Sequence, residues 1–176
     1  MGNWLSSSVD EPSADDYRAE ATLFAHRRNE FLTRSQEAWR SGKKAEAKSL
    51  SNAAKAQAQL MAEANKKAAE ALFNKHNATR DVGELDLHGL FVKEAIEKVE
   101  QRIALCKEMG RKDLVVIVGK GNHSRDGNAI LKPIVEKFIQ KYSLSVTVGK
   151  PNDGCIYVEF DNPGLFQQLI DTCAVM

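Results

Sequence analysis

Several things are missing or scarce in this chain of 176 residues. No apolar stretch approaches the ~18 residues needed to cross a bilayer. The longest, "LVVIV" at 114–118, has the length of a buried strand. The three cysteines, Cys106, Cys155 and Cys173, are far apart and odd in number, with no CxxC pair. That spacing suggests neither a zinc site nor a disulfide framework, and reduced thiols of a cytoplasmic protein are expected. The phosphate-loop pattern GxxxxGK[ST] is absent, and the sequence "GKGNHS" breaks GxGxxG at Ser124. ATPase-like mononucleotide binding is therefore not expected. The net charge is only +1.

That small total hides a partition. Residues 1–16 carry four acids and no Lys or Arg, residues 17–80 carry thirteen Lys and Arg against six Glu, and residues 81–176 carry twelve against fourteen acids. The basic charge lies in the middle third, where it would attract nucleic acid or an acidic partner unless it is simply a solvated helical face. "MGNWLS" matches the pattern for acylation at Gly2. One acyl chain binds membranes only marginally, and the acidic residues that follow supply no second signal, so only a weak membrane contact is expected from it. No apolar core follows Met1, so a secretory signal is not expected.

Along the chain, residues 1–16 mix Ser, Pro and acids and read as a disordered lead-in. A helix start follows, with Ser13 or an Asp as cap. Tyr17, Phe24, Phe31 and Ala38 recur every seven residues with Leu23, Leu32 and Trp39 beside them, making one apolar stripe. "SGKK" at 41–44 breaks the pattern, with Gly42 a natural C-cap. A second, Ala-rich helix is predicted from about Ala45 to Lys75, with Leu50, Ala54, Met61, Ala64, Ala68 and Leu72 on one face. Residues 17–80 thus predict a basic antiparallel helical hairpin. Its stripe packs on its own second helix or, alternatively, docks a protein partner. "KHNATRDVG" at 75–83 reads as a connector.

From residue 81 the elements alternate. "ELDLHG" reads as strand and turn, "LFVKEAIEKVEQRIALCKEMG" as an amphipathic helix with Ala95, Ile96, Val99, Ile103 and Cys106 inward, and "DLVVIVGKG" as a strand buried on both faces. "GNAILKPIVEKFIQKYS" is a helix with Pro133 in its first turn. "SVTVGKPNDGCIYVEF" predicts two strands, and "NPGLFQQLID" a short helix. The order βαβαββ predicts an α+β two-layer sandwich after the hairpin. Right-handed crossovers make the first two connections parallel. "DLHG" and "GKGNHS" then end neighbouring strands at one sheet edge, where α/β sheets hold ligands.

Those two loops concentrate the chemistry. Imidazoles titrate near neutrality and serve as base or acid, so His88 and His123 are candidates, with Asp86 orienting one of them. Asp86 bonding only its own turn is the competing reading, as is phosphate binding without chemistry for His123. Gly119 and Gly121 permit close backbone approach, Lys120 and Arg125 add charge, and the loop runs into a helix N-terminus suited to anions. The loops hold only two carboxylates, Asp86 and Asp126, too few for a two-metal site. Two His and one Asp are enough for a lone metal. No cofactor is expected, and a divalent-metal requirement is left open.

Together, "LDLHGL" at 85–90 and "GKGNHS" at 119–124, about thirty residues apart, make the region 84–160 resemble the Smr (small MutS-related) domain. The hairpin resembles the domain of unknown function that often precedes Smr in eukaryotic proteins. The resemblance implies a fold similar to the C-terminal domain of bacterial translation initiation factor three, and endonuclease activity on DNA or RNA, in some members on messages bearing stalled ribosomes. It implies that Asp86 and His88 form the active-site pair. It also implies that Gly89 and the loop with Gly119, Lys120, Gly121, Asn122 and Ser124 hold phosphate, helped by a basic residue matched by Lys132. The chain departs from the family at "NDGC" (152–155), where a GGxG-type turn is common, and at Lys132, where Arg is common and makes bidentate phosphate contacts that Lys cannot. The expectation is an RNA-cleaving enzyme tied to the ribosome or to mRNA quality control. The alternative is a non-catalytic RNA- or ribosome-binding module using the same loops.

Overall fold

The computed structural model describes residues 12–121 and 129–160. The chain divides into two compact units at Ala71–Leu72. Gly2, Asn122, His123, Ser124, Arg125 and the helix expected at 162–171 lie outside the described residues.

In the first unit, helix α1 spans Ala14–Arg40. Ser13 is its cap. The Ser13 hydroxyl oxygen accepts the Asp16 N–H at 3.2 Å while Asp16 Oδ2 accepts the Ser13 N–H at 2.9 Å, so two orphan donors are satisfied reciprocally. The helix stops at Ser41, and Gly42, at φ 76°, makes the turn. Helix α2 spans Lys44–Asn77. The helices run antiparallel: Ser35 Oγ donates to the Ala47 carbonyl at 2.8 Å, and Arg18 Nη1 to Asn65 Oδ1 at 2.6 Å. The buried seam is made of small residues, among them Ala21, Ala38, Ala47, Ala54 and Ala64. Here the expected stripe is narrower than its sequence pattern. Tyr17, Phe24 and Phe31 are half-buried, while Leu23, Leu32 and Trp39 are exposed. They lie one position off the heptad, about 100° around the helix, beyond the reach of a single partner helix.

In the second unit a four-stranded sheet has the order β1-β2-β4-β3, with β1 at Glu84–Asp86, β2 at Asp113–Ile117, β3 at Ser145–Val148 and β4 at Cys155–Glu159. Helix α3, Val92–Glu108, connects β1 to a parallel β2. Helix α4, Leu131–Gln140, crosses from β2 to β3, with Pro133 in its first turn. β4 inserts antiparallel between β2 and β3, so β3 runs with β2 without pairing to it. Leu85, Leu114, Val116, Ile156 and Val158 cover one sheet face and are buried with Val99 and Ile103 of α3 and Val135 and Ile139 of α4. This is a two-layer α+β arrangement. β2 alternates buried and half-buried residues, so it is not buried on both faces as its apolar run suggested: both helices pack against the other face, leaving Val115 and Ile117 half-covered.

Among the described residues, no helix is long and apolar enough to cross a membrane.

Candidate active site

β1 and β2 pair in register through Asp86 opposite Ile117, and the Leu87 N–H donates to the Ile117 carbonyl at 2.8 Å. The C-terminal ends of the two parallel strands therefore lie side by side. The alternation of β1 turns Leu85 into the core and Asp86 to the opposite face. Asp86 is nonetheless 3% exposed, the one buried charged residue among the described residues.

A buried carboxylate is costly unless its lone pairs are satisfied. Those of Asp86 are. Oδ1 takes the His88 backbone N–H at 3.1 Å and lies 2.5 Å from His88 Nδ1. Oδ2 takes Arg80 Nη2 at 2.9 Å. The Asp86 backbone is clamped as well: Asn77 Nδ2 donates to its carbonyl and Asn77 Oδ1 accepts its N–H, both at 2.9 Å. His76 stacks on His88, with ring centroids 3.9 Å apart and planes 10° from parallel. His88 remains half-exposed. The His76 imidazole is held below the ordinary histidine range, chiefly by burial. Repulsion from His88, and more weakly from Lys75 and Arg80, acts in the same direction, against the attraction of Asp86.

His76, Asn77 and Arg80 fall at the end of α2 and in the connector, which sequence reasoning passed over. The connector is itself pinned. Arg102 Nη1 donates to the carbonyls of Val82 at 3.0 Å and Glu84 at 2.7 Å, and Arg111 pairs with Asp81 at 2.6 Å. No periodicity links a helix terminus to a strand nine residues later. The available signal was the run of polar side chains, "HNATR", directly before a strand that ends in a buried acid.

The other predicted residues distribute as follows. Gly89 has φ 80°, a left-handed conformation that favours glycine; a Cβ there would also press on the Leu72 Cδ2 methyl at 2.8 Å, which its flexible side chain can move aside. Gly119, at φ 77°, sits beside His88: a Cβ would lie 3.5 Å from that of His88. It is the backbone angle rather than crowding that requires glycine here. Lys120 is exposed, and Gly121 is half-buried at the end of the described loop. The "NDGC" turn reaches the same place, its Gly154 carbonyl accepting the N–H groups of Val118 at 2.9 Å and Gly119 at 3.1 Å. Lys132 Nζ donates to the Asp153 carbonyl of that turn at 2.7 Å. Asp86, His88, Gly89 and Gly119 thus come together, and Lys132 is tied to the adjoining turn.

One donor atom from each of His76, Asp86 and His88 lies within 4.8 Å of the others, close enough to consider a cation. Two features fit an ion poorly. Stacked, nearly parallel rings direct their in-plane lone pairs along planes that do not converge, and Arg80 already neutralises Asp86 Oδ2. The same geometry suits proton transfer: a carboxylate fixes one imidazole nitrogen and leaves the other to act.

Comparison with known proteins agrees with this architecture. The family model for the Smr domain matches residues 85–161, and that for a domain of unknown function, DUF1771, matches residues 15–77. "Endonuclease NBR9" of Saccharomyces cerevisiae is 39% identical over 76% of this chain and 55% of its own length. "Smr domain-containing protein C11H11.03c" of Schizosaccharomyces pombe is 35% identical over 82% of this chain and 69% of its own. The solution structure of the B3BP Smr domain is 36% identical, covering 56% of this chain and 98% of that one, with a TM-score of 0.46. The chain belongs to the Smr-domain family, in the form that carries the DUF1771 region before the Smr domain. It spans about half the length of the yeast relative named as an endonuclease.

Proposed function

We propose that this chain is an RNA endonuclease that cuts without a metal, with His88 as base and Asp86 as its positioning partner. The observation that carries the reading is the 2.5 Å contact of His88 Nδ1 with a buried Asp86 whose other oxygen is held by Arg80. A carboxylate there keeps the proton on Nδ1 and leaves Nε2 as acceptor on the exposed side of the ring. The Asn77 clamp and the His76 stack fix both partners, which is the preorganisation that proton transfer requires.

RNA is the substrate because it brings its own nucleophile. His88 Nε2 takes the proton of a ribose 2′-OH, and the freed oxygen attacks the adjacent phosphorus. The bond to the 5′-oxygen breaks, and that oxygen leaves with a proton from a second group, assigned to His123. The products are a 2′,3′-cyclic phosphate and a 5′-OH. Gly89, Gly119, Lys120, Gly121, Asn122, Ser124 and Arg125 are assigned to the phosphate, with Lys132 at the rim. Supporting the assignment are the position of Gly119 beside His88 and the turn at Gly154 that holds this backbone. A role beside the ribosome or in mRNA quality control belongs to the same reading and is checked by cosedimentation with ribosomes. The yeast relative's name, an endonuclease, points the same way.

The test is cleavage of labelled single-stranded RNA by the wild type and by Asp86→Ala with His88→Ala. The double variant is expected to lose about 10³-fold in rate while binding RNA within about threefold of wild type. Equal cleavage by both proteins would sink the assignment. A second reading, binding without turnover, is favoured by the Lys132 amine, which is engaged with the Asp153 carbonyl. Intact RNA at high protein concentration, together with binding that weakens steeply with salt, would select it.

A further inference from the structure

The tip of the hairpin carries a second collection of unusual side chains. Trp39, the last aromatic of α1, is 63% exposed. An indole so exposed forfeits most of the stabilisation that burying it would supply. Lys44 Nζ lies 5.8 Å from its ring centroid. Arg40 and Lys48 line the same open hollow of about 590 Å³, floored by Ala47 and edged by Ser35 and Ser51. On α2, positions 44, 48 and 51 share one face by helical spacing, so the cations and the indole are presented together. Among the described residues neither Arg40 nor Lys48 makes an ion pair, and nearby Lys43 pairs with Glu46 at 3.6 Å. Residues 27–55 hold eight Lys and Arg against three Glu, so the surrounding field is positive.

We infer that this tip is a binding site for single-stranded nucleic acid, a base stacking on Trp39 and its flanking phosphates meeting Arg40, Lys44 and Lys48. An aromatic platform ringed by cations is what a strand of bases and phosphates requires, and the stacking tolerates any base. The hollow is of nucleotide size. A partner helix with an apolar face would cover Trp39 but leave three cations desolvated without counter-charge. A duplex offers its phosphates but no unstacked base. The inference stands apart from the cleavage reading: a chain that binds through Trp39 and never cuts RNA leaves it intact.

The experiment uses the full chain carrying Asp86→Ala and His88→Ala, so that the probe stays whole. A short fluorescent oligouridylate reports binding by anisotropy. Trp39→Ala is expected to weaken binding about tenfold, and Trp39→Phe to keep it within about threefold. Lys44→Gln is expected to reduce the slope of log affinity against log salt by about 0.7. In a Trp4→Phe background, Trp39 is the only tryptophan, and the oligouridylate should quench its fluorescence. Unchanged affinity in Trp39→Ala with no quenching would overturn the inference. An equal loss for a blunt RNA duplex would reduce the tip to a charge patch and would also overturn it. Binding of a polyglutamate peptide as tight as that of oligouridylate, and lost in the same variant, would replace it with an acidic protein partner.

Discussion

The two units bury different things. The hairpin closes on alanines, with Tyr17, Phe24 and Phe31 half-buried and Leu23, Leu32 and Trp39 outside. The α/β unit closes on Leu, Ile and Val and in addition encloses a carboxylate, Asp86. Alanine lets two helices approach closely but removes little apolar area from water per residue. An alanine seam therefore holds two helices close together while burying little apolar area per residue. A core of branched aliphatics removes far more area and leaves a margin of stability that can hold a costly buried charge. On this comparison, the buried carboxylate lies in the second unit and the exposed Trp39 in the first.

The comparison can be broken from either side. Leu114→Ala should cost the α/β unit about 2–5 kcal/mol in a denaturant titration, whereas Leu23→Ala on the hairpin should stay within about 0.5 kcal/mol. Comparable losses would mean that the hairpin relies on its outer side chains as the sheet relies on its inner ones. A smaller effect is expected from Asn77→Ala, which leaves the N–H and carbonyl of Asp86 unpaired at a buried strand end. It should cost about 1–3 kcal/mol and lower RNA cleavage through misplacement of Asp86. A stability loss with unchanged cleavage would confine Asn77 to the fold.

The smallest effect concerns His76. Its folded-state pKa is depressed, first by burial and then by His88, so as the pH falls the unfolded chain takes up this proton before the folded one. Stability that is complete above the ordinary histidine value of about 6.5 is then lost as the pH falls through that range. Between about pH 7.5 and pH 5.5 the melting temperature of the wild type should therefore drop further than that of His76→Gln. Identical drops would show that the stacked ring feels no such environment.

Periodicity made the elements legible. The heptad of Tyr17, Phe24, Phe31 and Ala38, the cap at Ser13 and the break at Gly42 are local signals, and each has its counterpart in α1 and α2. The juxtaposition of "DLHG" with the Gly119 backbone was legible too, because a parallel crossover forces two strand ends together. What the sequence hid was the support beneath Asp86. Asn77 and Arg80 reach Asp86, and His76 reaches His88, from a helix end across a turn, and such contacts leave no repeat, spacing or motif. The exposure of Trp39 was hidden for a related reason. A stripe marks which residues are apolar, but its buried width depends on how many helices face it, and within the described hairpin α1 has α2 as its partner.

The most direct test of the central claim is the chemistry of the cut ends, read in the presence of EDTA on an RNA with a single 2′-deoxy substitution at the cleaved nucleotide and on its unsubstituted twin. Asp86 and His88, acting on the substrate's own 2′-OH, predict a 2′,3′-cyclic phosphate and a 5′-OH from the unsubstituted RNA and no cut at the substituted position. Cleavage that vanishes in EDTA, or that leaves a 5′-phosphate and a 3′-OH with or without the 2′-OH, would contradict the account.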